Sequence, residues 1–244
     1  MCGERGMARL FDRNMFIMLL SIMIGVIIIT FFIADIMART EVTKDLETKY
    51  TEEIADIESK NINFTNSFIQ SLGLFDISRE YRAQGGYNFD LALIWYSTAL
   101  SLTNATELEV YKGRIIGSCK DAILNYTYSY ANFLEAKVRF ERTISYTTYE
   151  QYLNILDLYI NLTKSGSRLM GHRINSSKYL MYLAENLTII DGSLGYQGNV
   201  SNLTDMFNES LLAYQMELEF YEQLEDEIEY EYSIIGFSEI REEG

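Results

Sequence analysis

The chain has 244 residues, enough for one domain and a membrane anchor. It contains no proline and two cysteines, and its net charge is −15. That composition excludes a disulfide scaffold, and it excludes a surface that attracts nucleic acid or anionic lipid.

Residues 1–14 read as a short inner tail. Met15 to Ala34 then runs twenty residues without a charge, about 30 Å as a helix, which is enough to cross a hydrocarbon core. Thirteen of the twenty are Leu, Ile, Phe or Val, each favouring insertion by roughly 0.3–0.6 kcal/mol. The stretch exceeds the roughly 7–15 residues of a signal-peptide core, and no small-x-small cleavage site comes after it. It therefore predicts a retained transmembrane helix over 15–37, with Asp35 at the outer boundary. Arg5, Arg9 and Arg13 precede it, and Arg39, Lys44 and Lys49 come after it, so flanking bases orient it only weakly, with the N-terminus inside. Residues 1–37 balance three bases against Glu4, Asp12 and Asp35. The whole −15 belongs to residues 38–244, with 17 bases (20 − 3) against 32 acids (35 − 3).

Val42, Leu46, Tyr50, Ile54 and Ile57 recur at spacings of three and four, the period of an amphipathic helix, and predict a helical stalk over 38–73. Gly73 reads as its first break and Gly85-Gly86 as a turn, followed by a helix over 88–102. Thr106-x-x-Glu109 and Thr147-x-x-Glu150 match capping boxes, opening helices to about Arg142 and Lys164. Ser165-Gly166-Ser167 reads as an interruption, residues 175–190 as a helix, and Asp191–Gly198, with three glycines, as a loop. A last helix runs from about Leu203 to Ile235. Its seam is Leu211, Tyr214, Leu218, Tyr221, Ile228, Tyr232 and Ile235, a heptad with one gap at Glu225 that Leu224 can cover. An edge helix on a bundle fits that seam better than a free coiled coil. Residues 74–244 thus form an acidic, all-α outer domain, built as an antiparallel bundle or a repeat-like helical array.

Phe89, Ala92, Tyr96, Ala99 and Leu100, after Gly85-Gly86, are spaced as in the second helix of a tetratricopeptide repeat. Cys119, Ala122, Tyr126 and Ser129 form a poorer copy thirty residues on. The segment of about residues 74–130 resembles that family, whose small residues let paired helices approach while aromatics fill the space between hairpins. The family's period is about 34 residues, and no third copy is clear. A basic leader before an apolar helix also resembles the type IV pilins. They carry glutamate at the fifth mature position, where counting from Gly6 finds Phe11, so the chain departs from that pattern.

Nine of the fifteen asparagines lie in N-x-S/T: Asn63, Asn104, Asn125, Asn161, Asn175, Asn186, Asn199, Asn202 and Asn208. With 35 Ser and Thr in 244 residues, about two would be expected by chance. All nine lie after the apolar run. They predict N-linked glycans on an extracellular C-terminal domain, with each acceptor facing solvent.

Catalytic signals are weak. His172 is the only histidine, so a Ser-His-Asp triad or a His-based zinc site would have to use it. It reads as a surface residue between helices. Cys119 reads as a small buried residue, and no phosphate-binding or dinucleotide glycine pattern is present. Glu222/Asp226 and Glu225/Glu229 lie one turn apart within an acidic run, 217–243, that reads as a solvated face. Nineteen tyrosines are present. Tyr96, Tyr126, Tyr214 and Tyr221 read as core, and Tyr230 and Tyr232 as contact residues. No catalytic, cofactor-binding or metal residue is predicted. The expected partners are the lipid bilayer, N-linked glycans, and another protein or a second copy of the chain. The expected function is that of a single-pass cell-surface structural or interaction protein. An extracytoplasmic sensor or ligand-binding domain acting through a partner is the alternative, and an enzyme is the reading least supported.

Overall fold

The computed structural model describes the backbone of residues 4–235 and the side chains of Met23 and residues 29–234. The elements are α1 (Glu4–Ala99), α2 (Ala105–Thr143), a 3-10 turn (Ile144–Tyr146), α3 (Glu150–Glu185), β1 (Leu187–Ile190), β2 (Ser193–Tyr196) and α4 (Ser201–Ile235). The chain divides into two compact units, residues 1–59 and 60–244. Residues 60–73, which the sequence places in the stalk, fall in the second.

In the first unit the described backbone is α1 alone. The expected membrane span, 15–37, is helical, but the side chains of residues 15–22 and 24–28 lie outside the described residues. Among the described residues no helix is long and apolar enough to cross a membrane. Beyond the span, Thr40, Thr43, Thr48 and Thr51 each donate a hydroxyl to the carbonyl four residues back.

The second unit is an up-down-up-down four-helix bundle, the arrangement that short connections between successive helices favour. Pairings across it run antiparallel. Between α1 and α2, Ser67 hydrogen-bonds Thr143 and Trp95 meets Tyr111. Between α2 and α3, Phe140 stacks on Tyr159 and Phe133 crosses Gly166. Between α3 and α4, Tyr159 bonds Tyr232 and Ser176 bonds Ser210. Arg79 reaches Glu225 and Arg82 lies over Tyr221, which closes the ring between α1 and α4.

The core alternates large rings with small residues. Phe75, Phe89, Phe133, Phe140, Tyr126 and Tyr221 are buried. Each such phenylalanine removed from water contributes about 1.5–3 kcal/mol. Phe140 stacks on Tyr159 at 4.8 Å, and Phe68 and Phe75 meet Tyr159 edge-on at 5.8 Å. Such pairs add about 0.5–1.5 kcal/mol each beyond burial. The seam of α4 turns inward, with Tyr221, Leu224 and Ile228 buried, so α4 is an edge helix on the bundle and Leu224 fills the gap at Glu225.

Four local expectations are corrected. Gly73 and Gly85-Gly86 do not break the chain, because α1 continues to Ala99. Gly85 instead admits Tyr126: a Cβ there would sit 2.6 Å from two of its ring carbons. Ser165-Gly166-Ser167 does not interrupt α3, and Gly166 admits Phe133 in the same way, since a methyl group there would lie 2.7 Å from two ring carbons. Helix α3 ends at Glu185, not at residue 190: the end of the expected helix is β1, which pairs with β2 in the expected loop to form a hairpin in register Leu187↔Tyr196. Its turn is Asp191-Gly192, with φ of 53° and 77°, the left-handed pair that a two-residue hairpin turn requires. Finally, α2 is capped by Asn104, whose side-chain oxygen accepts from the Thr106 and Glu107 amides, two residues before the expected capping box. At the start of α3 the Thr147 hydroxyl accepts from the Tyr149 amide, and the helix begins at Glu150.

Candidate functional site

The nine sequons are spread over all four helices of the bundle and their connections, and none of the nine acceptor asparagines is buried. Asn63, Asn104, Asn175, Asn199, Asn202 and Asn208 are exposed, and Asn125, Asn161 and Asn186 are half-buried. The helical register explains the two classes. Asn125 sits between buried Ala122 and Ser129, one turn to either side, and Asn161 precedes buried Ser165 by one turn. Leu158, one turn before Asn161, is half-buried.

Two half-buried amides are also engaged: Asn161 donates to the Asp157 carboxylate at 3.2 Å and Asn186 to the Tyr182 carbonyl at 2.8 Å. The Ser or Thr two residues on differs as well. Thr65, Thr106, Thr127, Ser201 and Thr204 are exposed and Thr188 is half-buried. Thr163, Ser177 and Ser210 are buried and hydrogen-bonded to the Tyr159, Arg173 and Phe207 carbonyls. Four sequons therefore pair an exposed asparagine with an exposed Ser or Thr in the folded chain, those of Asn63, Asn104, Asn199 and Asn202, although the Thr204 hydroxyl donates to the Val200 carbonyl at 3.2 Å.

Among the residues with chemical potential, Cys119 is fully buried on α2, and burial pushes its thiol up to about 12, which keeps it protonated and unreactive. His172 lies inside α3, half-buried, not between helices. Glu225 is tied to Arg79 at 3.6 Å, while Glu222, Asp226 and Glu229 face solvent. An open groove of about 340 Å³ between α3 and α4 is lined by Asn154, Asp157, Leu158, Glu227, Tyr230 and Glu231. Among the described residues no three His, Cys, Asp or Glu side chains come together as a metal site.

Tyrosine divides differently from expectation at one position. Tyr230 is 65% exposed, but Tyr232 turns inward and bonds the Tyr159 hydroxyl at 3.0 Å. Tyr96 pairs with Tyr196 of the hairpin at 2.6 Å and so fastens the hairpin to α1. Among the described residues no side chain meets the buried Tyr126 hydroxyl at hydrogen-bond geometry, and the buried Tyr221 hydroxyl has only the Arg82 guanidinium beside it. Burial raises both well above the ordinary tyrosine range. Arg173 is the main opposing charge near Tyr126, and Arg82 and Arg79 oppose Glu225 near Tyr221. Sequence pattern alone does not disclose the arginines' positions: Arg173 lies 3.7 Å from the centre of the Tyr214 ring and 4.7 Å from that of Phe89, and Arg114 caps Trp95 and Tyr111. These guanidiniums extend the aromatic core toward solvent.

Comparison with protein-family models, with curated proteins and with solved structures finds no match to this chain.

Proposed function

We propose that the chain is a single-pass, N-glycosylated cell-surface protein with a structural or interaction role, of the kind that serves as an accessory subunit of a membrane or envelope assembly. The observation that carries this reading is the sequon set. Nine acceptors lie after one uncharged apolar run, and every one keeps its asparagine at least partly open to solvent on the helical bundle. The enrichment carries the weight, nine sequons against about two expected by chance, because polar asparagines keep to the surface with or without a sequon. The acidic surface supports a role away from nucleic acid and anionic lipid.

The alternative is an extracytoplasmic sensor or ligand-binding domain that acts through a partner helix. Purification from native membranes separates the two. A structural subunit brings stoichiometric partners regardless of added solutes, whereas a sensor binds its partner in a ligand-dependent way. The anchoring itself is tested by carbonate washing followed by protease treatment of sealed cells. The chain should stay in the membrane fraction, and residues 38–244 should be cleavable from outside. Recovery in the soluble fraction, or protection of the domain in sealed cells, would refute the proposal.

A further inference from the structure

A sequon is read through two groups at once, the asparagine amide that takes the sugar and the hydroxyl two residues on. Residues two apart share a side of an extended chain, but on an α-helix they lie about 200° apart. A sequon inside a helix therefore turns its two halves in nearly opposite directions. Three of the nine have this arrangement with the hydroxyl sealed in the core. Asn161 and Asn175 lie within α3 and Asn208 within α4, while Thr163, Ser177 and Ser210 are 0%, 0% and 8% exposed. Each hydroxyl is also committed. Thr163 donates to the Tyr159 carbonyl, Ser177 to that of Arg173 and Ser210 to that of Phe207, each at 2.8 Å, and Ser210 meets Ser176 between α3 and α4.

Asn104 and Asn199 are built the other way. Asn104 caps α2 in an extended conformation, and Asn199 precedes α4. Both engage the chain through Oδ1, which accepts from the amide two residues on, that of Thr106 at 2.9 Å and that of Ser201 at 3.0 Å. This leaves Nδ2, the atom that takes the sugar, without a partner among the described residues. At Asn161 the reverse holds, because its Nδ2 donates to the Asp157 carboxylate at 3.2 Å. Thr106 and Ser201 are exposed, so both halves of each sequon stand open to solvent.

We infer that the fold sets the order of glycosylation: Asn161, Asn175 and Asn208 accept a glycan only before the bundle packs, whereas Asn104 and Asn199 also accept one in the folded chain. The inference rests on the glycosylated reading above. The reaction joins Nδ2 to the anomeric carbon of a sugar activated as a phosphate ester of a lipid carrier. The carbon–oxygen bond to the phosphate breaks, the phosphate keeps that electron pair, and Nδ2 loses one proton. At Asn161, Asn175 and Asn208 the enzyme reaches the hydroxyl only if α3 or α4 unwinds, which also unpacks buried neighbours such as Leu162 and Ser176. At Asn104 and Asn199 fraying of a helix end suffices, the least demanding opening a bundle has. A glycan at Asn161, Asn175 or Asn208 thus marks modification of the unpacked chain.

The test takes the full chain, produced unglycosylated and folded in detergent, and offers it to an oligosaccharide-transferring enzyme with its lipid-linked sugar. Peptide mapping scores each site against the same sequon in a short synthetic peptide. Asn104 and Asn199 should be modified at close to the peptide rate. Asn161, Asn175 and Asn208 should be slower than their peptides by at least about tenfold, because opening of a packed core segment is rarer than that. Peptide-like rates at those three sites in the folded chain, or exclusion of Asn104 and Asn199 along with them, would overturn the inference. Glycan mapping of the native chain reports separately on the glycosylated reading: nine bare sites there refute that reading, while the rates on the folded chain still decide whether the fold sets the order.

Discussion

Gly85 and Gly86 are adjacent, both lie within α1, and they should respond oppositely to alanine. At Gly86 a new Cβ meets nothing within 4 Å. Gly86→Ala should stabilise the bundle by about 0.5–1 kcal/mol, through the helix propensity gained and the unfolded-state entropy lost. At Gly85 the same methyl lands 2.6 Å from Tyr126 ring carbons, about 1 Å inside the 3.5–4.0 Å of ordinary carbon contact. Tyr126 is buried and cannot swing aside. Overpacking of this kind costs about 1–3 kcal/mol. The propensity gain is common to both variants and cancels in their difference, which reports the close approach alone. A difference of about 2 kcal/mol corresponds to roughly 4–8 °C in Tm for a unit of this size. Thermal unfolding of both variants of the full chain, followed by far-ultraviolet circular dichroism, measures it. Equal Tm values, or a more stable Gly85→Ala, would refute the claim that Gly85 exists to admit the Tyr126 ring. Gly166→Ala against Gly171→Ala repeats the comparison at Phe133.

Three further outcomes are expected from the structure. Asn104→Ala should cost about 1 kcal/mol in unglycosylated protein by removing the α2 cap, while Asn104→Asp should retain stability; an equal loss in both would show that the cap is not the cause. Burial holds the protons of Tyr126, Tyr159 and Tyr221 more tightly in the folded chain, so their contribution to stability is complete below the unfolded value of about 10 and is lost as pH rises above it. Tyrosinate absorbance should then rise in two phases, the second coincident with loss of helix, and a single phase with helix intact would contradict this. Cys119 should resist thiol reagents near neutral pH until the chain is denatured, and rapid labelling of native protein would show that the α2 face opens.

The helical class is legible in the sequence because three-four spacing and the absence of proline are local signals that bundle packing reinforces. The helix breaks are not, for one physical reason. Glycine in isolation signals backbone freedom, yet Gly85 and Gly166 serve close approach to rings more than thirty residues away in sequence. The hairpin is written in Asp191-Gly192, but Leu187–Ile190 is too short to separate from the end of a helix by periodicity. The capping box alone places the α2 start two residues late, because Asn104 is a helix cap as well as a sequon. For the candidate site, the acceptor positions can be read directly. Their ranking cannot, since the burial of Thr163, Ser177 and Ser210 depends on which face each helix turns inward. Tyr232 departs from expectation for the same reason: its glutamate neighbours flank it along the chain, while its ring meets Tyr159 across the bundle.

The most direct measurement is peptide-mapped glycan occupancy on the native chain. Its intact mass should exceed 28.3 kDa by several glycans, with Asn63, Asn104, Asn199 and Asn202 occupied. Asn125, Asn161 and Asn186 should lag behind them, and Asn14, which precedes the apolar run, should be bare. A native chain of 28.3 kDa with all nine sequons unmodified would contradict the glycosylated cell-surface reading.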